Sequence, residues 1–190
     1  IRNPLINSKG ENTSAVFGYT RTLLDILGQE QPEYIAVAFD TPEPTFRHQR
    51  FADYKATRQK MPDEMSAQLP RLKEVTEALG VMLIELAGFE ADDVMGTLAK
   101  QAEREGFKTY LVTADKDLMQ LVSPHVKIYS LRRVDNQQEI LDPVGVQQKF
   151  GVPPERVIDV LALMGDSSDN IPGVRGIGEK TAVKLIQDYG

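Results

Sequence analysis

Tyr34-Ile35-Ala36-Val37-Ala38-Phe39-Asp40 is an unbroken apolar run that ends on a carboxylate. Strand length without polar alternation predicts a strand buried on both faces, as in a parallel sheet covered by helices. The same reading predicts strands over 81–86, 109–113 and 126–130. Apolar residues recurring at three and four predict helices over 14–27, stopped at Gly28, and over 70–79, with Pro70 in the first turn and Gly80 at the end. A further helix spans 92–105 and ends at Gly106. Beyond the fourth strand the patterns are helical only, over 143–150, 154–164 and 178–188. Strands alternating with helices predict an α/β core with a mostly parallel central sheet over 1–142, followed by a helical region over 143–190. Residues 41–64 fit neither core strand nor core helix and read as an insertion.

The 190 residues bury a real core but contain no apolar run long enough to span a bilayer. With no cysteine there is no disulfide framework, no thiolate zinc site and no cysteine nucleophile, which suits a reducing cytoplasm. The chain opens on Ile1 without an initiator Met or a signal-peptide pattern, and so reads as a piece of something longer. Lys plus Arg number 22 against 28 Asp plus Glu, a formal net charge of −6. On bulk charge alone that argues against nucleic acid as a partner.

The placement of the acids argues the other way. The strand 34–39 ends at Asp40, the strand 81–86 is followed by Glu90, Asp92 and Asp93, and the strand 109–113 runs into Asp115 and Asp117. In an open parallel sheet, ligands bind outside the carboxyl ends of the strands, so these six acids are expected on one edge. Asp166 and Asp169 follow in Gly165-Asp-Ser-Ser-Asp-Asn170. Each group alone reads as helix capping or an Asx turn. Together, so many carboxylates repel one another unless cations neutralise them. Oxygen donors without His or Cys suit hard ions, Mg²⁺ or Mn²⁺. Two such ions sharing carboxylates are a standard means of phosphodiester hydrolysis, one activating the attacking water and the other stabilising the leaving oxygen.

The insertion carries Arg47, Arg50, Lys55, Arg58 and Lys60 against Glu43 and Asp53, with Phe46, Phe51 and Tyr54 interleaved. Read alone, this is a solvated amphipathic helix. Leaving directly from Asp40, it is expected to overhang the acidic edge, where cations suit a phosphate backbone and aromatics such as Tyr54 suit unpaired bases. Arg47 and Lys55 are the candidates for gripping the scissile phosphate, with Arg58 and Lys60 along the strand. At the other end, Ile171-Pro-Gly-Val-Arg-Gly-Ile-Gly-Glu-Lys-Thr181 is a Gly-rich turn entering a helix. Glu179 intervenes before Lys180-Thr181 and no strand precedes the loop, so it is not a Walker A loop. A helix–hairpin–helix contact to duplex backbone through Arg175, Gly176, Ile177, Gly178, Glu179, Lys180 and Thr181 fits better than a plain tight turn.

Phe39-Asp40 with Phe46-Arg47 and Tyr54-Lys55, Gly88-Phe-Glu-Ala-Asp-Asp93, Thr113-Ala-Asp-Lys-Asp117, and Gly165-Asp-Ser-Ser-Asp-Asn-Ile-Pro-Gly173 followed by Gly176-Ile-Gly-Glu-Lys-Thr-Ala182 resemble the 5′→3′ exonuclease domains of bacterial DNA polymerase I. Those domains belong to the structure-specific 5′-nuclease (flap endonuclease) family, with a PIN-like core. The resemblance runs through the whole chain in the family's order. It implies a two-metal nuclease that removes 5′ flaps and RNA primers at nicks, acting as a monomer at the bacterial nucleoid with a polymerase domain in the same parent chain. It implies that 41–64 forms a helical arch around the 5′ single strand, and that the helix–hairpin–helix holds downstream duplex. It further implies a K⁺ ion on main-chain carbonyls of Pro172, Val174 and Ile177, supported by Leu163 and Met164. The family opens with a strand bearing an early ligand Asp, which this sequence does not contain; the fragment is accordingly expected to be impaired, with a sheet that lacks a member.

Two other readings compete with this one. A haloacid-dehalogenase-type phosphatase would use Asp115-x-Asp117 and Gly165-Asp-x-x-Asp169, but in that family the Asp-x-Asp opens the fold. A nuclease-like module that grips branched DNA without cutting would have lost carboxylates, whereas all eight matched ones are present. Setting those eight aside leaves 22 basic against 20 acidic residues, so the acidity is concentrated in the proposed cation site.

Overall fold

The computed structural model describes residues 4–134 and 137–190. In chain order its elements begin α1 (Ser14–Asp25), β1 (Ala36–Phe39), α2 (Phe46–Arg50), α3 (Asp63–Ser66), α4 (Leu69–Ala78), β2 (Met82–Glu85) and α5 (Ala91–Arg104). Then follow β3 (Thr109–Val112), β4 (Val126–Val134), β5 (Gln137–Leu141), α6 (Pro143–Phe150), α7 (Val157–Met164), β6 (Gly165–Asp166), β7 (Ile171–Pro172) and α8 (Glu179–Tyr189). They form two compact units. One comprises the residues up to Asp40 with Gln59–Glu85; the other comprises Thr41–Arg58 with Leu86–Gly190.

In the first unit β1 and β2 pair in parallel, Ala36 opposite Met82 through Phe39 opposite Glu85. α4 starts with Pro70 in its first turn, where the missing N–H costs nothing. β1 is not buried on both faces as its apolar run predicts: its four residues are exposed or half-buried. Among the described residues it pairs along one edge only, and two strands are too few to bury two faces. Tyr19 of α1 and Lys73 of α4 cover Phe39, the ring centroid and the ammonium lying 6.3 and 5.8 Å from its ring. α1 also runs past Gly28, through a π turn over Ile26–Glu30 to a left-handed Gln31.

The second unit holds the main core. β3 and β4 pair in parallel and β5 adds antiparallel to β4, with Ile128 opposite Leu141. β5 is an element that the helix-only reading beyond 130 omits. Its Gln137-Gln-Glu-Ile-Leu141 has too little apolar character to declare a strand, and pairing with β4 supplies what its side chains do not. Leu111, Val126, Ile128, Leu141, Val146, Val157, Val160 and Ala182 close into one apolar cluster that joins the sheet to α6, α7 and α8. The strand-rich part is thereby locked to the helical end of the chain, so loops from both form one rigid neighbourhood.

Candidate functional site

Three stretches of the second unit supply the site. The first is the N-terminus of α5. Gly88 adopts a left-handed turn (φ +83°), which reverses the chain ahead of the helix. Glu90 is the N-cap, and its carboxylate and that of Asp93 cap each other's backbone N–H groups reciprocally. Asp92 lies in the same first turn. The cap that makes these acids look ordinary in sequence is real, and it also fixes where they point.

The second stretch is 45–55. Thr45 and His48 cap α2, the His48 Nδ1 lying 3.1 Å from the Thr45 nitrogen. The Phe46 N–H bonds the Gly88 carbonyl at 3.0 Å, and the Phe46 and Phe89 rings pack 5.7 Å apart. Arg47 is thus held over α5, and its guanidinium donates a fork of 2.7 and 2.8 Å bonds to the two oxygens of Asp93. The fork raises the pKa of Arg47, and the guanidinium depresses that of Asp93. Lys55 donates to Glu90 at 2.9 Å and lies 3.8 Å from Asp169.

The third stretch is the acidic pair of loops. Asp115 lies in the loop after β3 and its Oδ1 accepts the Asp117 N–H at 2.9 Å. Asp166 makes the anticipated Asx turn with the Ser168 N–H at 2.7 Å. Asp117 is the strained member. Burial, then the nearby charges of Asp115, Asp166 and Asp169, push its pKa up to about 6. Its Oδ1 is buried without a hydrogen-bond partner among the described residues. A carboxylate so placed fits a cation: the charge needs neutralising and the oxygen needs a partner. Among the described residues no three acids stand close enough together to form a ready cage for an ion.

Asp169 belongs to both groups, since it bonds to the 54–55 segment and acts electrostatically on Asp117. The structure therefore brings together Glu90, Asp93, Asp115, Asp117, Asp166 and Asp169 with Arg47 and Lys55. Asp40 follows β1 at the edge of the first unit. Arg58 and Lys60 are exposed. Two expectations change. Tyr54, anticipated as a stacking platform for bases, is only 6% exposed and turns its edge to His48 at 5.1 Å, so its ring is not offered to a ligand. Asp93 engages both oxygens in the Arg47 fork, so an ion that it ligates shares those oxygens with the guanidinium or displaces it. Sequence reading also passed over Asn170, whose side-chain amide donates to the Asp53 carbonyl at 2.7 Å. Its signal was its type: asparagine tolerates the left-handed backbone it adopts there (φ +57°).

At the helical end, α7 and α8 are joined through a hairpin in which Gly165 pairs with Pro172 and Asp166 with Ile171. The Val174 N–H bonds the Leu163 carbonyl at 2.8 Å, and the Ile177 N–H the Val174 carbonyl at 3.0 Å. Arg175, Gly176, Gly178, Glu179, Lys180 and Thr181 are exposed, and Ile177 is half-buried. Ala182, one turn into α8, is fully buried and anchors the helix.

Residues 1–151 match the family described as 5′-3′ exonuclease, N-terminal resolvase-like domain. The chain belongs to the 5′-3′ exonuclease family. Residues 152–190 match its C-terminal SAM fold, so the two family models together cover the chain from end to end. Among relatives, the DNA polymerase I of Bacillus caldotenax is 48% identical over 98% of the chain, which spans 21% of that protein. A 5′-3′ exonuclease of Aquifex aeolicus is 42% identical over 98% of the chain and 63% of its own length. The fold is similar to that of T5 5′-exonuclease, solved with divalent metal ions (zinc) bound. That match has a TM-score of 0.76 at 24% identity, covering 92% of this chain and 67% of the other. The catalytic core of Rad2 in complex with DNA substrate also matches, with a TM-score of 0.60 at 19% identity over 98% of this chain and 56% of the other. Among the described residues, no helix is long and apolar enough to cross a membrane.

Proposed function

We propose that this chain is a divalent-metal-dependent 5′→3′ exonuclease and 5′-flap endonuclease. It hydrolyses phosphodiester bonds in DNA, removing flaps and RNA primers in replication and repair. The observation that carries this reading is the buried, partnerless Asp117 oxygen among Asp115, Asp166 and Asp169, with Lys55 held between Asp169 and Glu90 and Arg47 forked onto Asp93. Asp40, Glu90, Asp92, Asp93, Asp115, Asp117, Asp166 and Asp169 are the proposed ligands of two Mg²⁺ or Mn²⁺ ions, largely through water. Such a pair, when bound, supplies an activated water and a stabilised leaving oxygen.

The chain's own residues do the rest. A guanidinium fork that fits a carboxylate also fits a phosphate, so Arg47 can exchange Asp93 for the scissile phosphate. Lys55 makes the same exchange from Glu90. Arg58 and Lys60, exposed within 41–64, attract the 5′ single strand. Residues 143–190 act as the duplex-binding part, with Arg175 and Lys180 supplying charge and 176–181 supplying backbone N–H groups. A K⁺ ion on the carbonyls of Leu163, Met164, Pro172, Val174 and Ile177 would firm that hairpin. The partners are DNA with a 5′ flap, nick or RNA primer, and a polymerase domain in the same polypeptide. The protein works as a monomer at the bacterial nucleoid.

The test incubates the parent polypeptide that carries this chain with a labelled 5′-flap duplex and Mg²⁺, beside the same polypeptide with Asp115→Ala and an EDTA control. Cleavage at the flap base by the wild type alone is the expected result. Persistent binding without cleavage by the wild type overturns the reading and leaves a branched-DNA-binding module. Lys55→Ala should slow cleavage far more than it weakens duplex binding.

A further inference from the structure

Tyr54 sits one residue before Lys55 and does something different with the same carboxylates. Its hydroxyl donates to Asp169 Oδ2 at 2.9 Å and reaches Glu90 Oε2 at 3.2 Å. Those two acids come from separate elements, Glu90 capping α5 and Asp169 lying in the turn between β6 and β7. The surrounding backbone repeats the tie. The Lys55 N–H bonds the Asp169 carbonyl at 2.9 Å, and the Asn170 amide bonds the Asp53 carbonyl at 2.7 Å. Lys55 and Asn170 both hold left-handed backbone to make this possible (φ +56° and +57°). Non-glycine residues leave their preferred regions only where the surroundings impose it.

We infer that Tyr54 is a positioning residue, whose hydroxyl sets the spacing and aim of Glu90 and Asp169 for the divalent ions. The inference rests on the metal-dependent nuclease reading. Lys55 also reaches both acids, but as a cation it competes with the ions for the same oxygens, and it is the group proposed to turn to the phosphate. A neutral hydroxyl has one proton, given to Asp169 at 2.9 Å and shared at 3.2 Å with Glu90, and leaves the rest of each carboxylate for coordination. An ordinary phenolic hydroxyl is protonated at neutral pH and so remains a donor. The tie therefore survives when Lys55 leaves.

The experiment compares wild type, Tyr54→Phe, Tyr54→Ala and Lys55→Met. Mn²⁺ binding without DNA is followed by electron paramagnetic resonance of the free ion, and kcat and KM are measured on a 5′-flap duplex with Mg²⁺. Tyr54→Phe, which keeps the ring, should lose about 10–100-fold in Mn²⁺ affinity and in kcat while KM is unchanged. Lys55→Met should lose kcat without losing Mn²⁺ affinity. A Phe variant with wild-type Mn²⁺ affinity overturns the inference, whether or not its melting temperature falls. So does a raised KM confined to Tyr54→Ala, which would mean that the ring stacks on a base. Wild type that fails to cut flap DNA overturns the nuclease reading instead, and the Mn²⁺ comparison still decides whether the hydroxyl positions the acids.

Discussion

Individual carboxylates in this site differ in what ionisation costs them, and the differences are measurable. Asp117 has a folded pKa of about 6, above its ordinary 3.8. The folded state therefore holds its proton more tightly than the unfolded chain. That contribution is fully present below the ordinary value and is lost as pH rises through about 6. In EDTA, Asp117→Asn should melt higher than wild type at neutral pH, by at most about 3 kcal/mol, with the gap closing in acid. Excess Mg²⁺ should reverse the order, raising the wild type and not the variant. Equal melting of the two proteins in EDTA at neutral pH would mean that Asp117 carries no such burden. Asp93 shows the opposite sign. Its pKa is lowered first by the Arg47 fork, so its stabilisation is present above the ordinary 3.8 and is lost as pH falls through the lowered folded value. Arg47→Met should flatten that part of the acid unfolding curve. The acids themselves were legible in sequence because strand ends announce a binding edge. Their partners were not: which cation meets which carboxylate depends on where a five-residue helix docks, and no periodicity encodes that.

Among the elements, the hairpin between α7 and α8 makes the sharpest demand on residue type. A Cβ on Gly173 would overlap the Met164 carbonyl group and the Gly165 nitrogen, which are backbone atoms and cannot swing aside. A Cβ on Gly178 would meet nothing within 4 Å. Gly173→Ala should destabilise the protein by about 1–3 kcal/mol or more and weaken duplex binding, while Gly178→Ala should be nearly neutral in thermal melting. Equal effects would mean that the glycines serve the ligand and not the fold. Sequence reading counted these glycines together, because spacing alone does not separate close backbone contact from open space. Elsewhere the continuous apolar runs were read correctly as strands at β1 to β4. β5 escaped because an antiparallel edge strand draws its stability from its partner's hydrogen bonds. α1 overran Gly28 because a π turn tolerated a glycine that a helical pattern treats as a stop.

For the whole molecule, the net charge of −6 hides a division of labour. The acids gather where ions are proposed to bind, while Arg58, Lys60, Arg175 and Lys180 stand exposed. Duplex affinity should therefore fall steeply with salt, and Lys180→Ala should reduce the slope of log affinity against log salt by about 1. An unchanged slope would remove Lys180 from the phosphate contacts. The net charge was legible from the first count, but a sum carries no position and cannot decide for or against the proposed partner. The clasp between Asp53–Lys55 and Asp169–Asn170 has one more consequence, in time. Its bonds span 115 and 117 residues of chain, so they cannot form until Asn170 has been synthesised. At about 5–20 residues per second, translation takes roughly 6–23 s to cover that interval. Throughout it Glu90 and Asp169 are not yet companions, and the nascent chain carries the parts of a cutting centre without its geometry. The order of synthesis keeps the proposed nuclease disarmed until the core that will hold its site is almost entirely made.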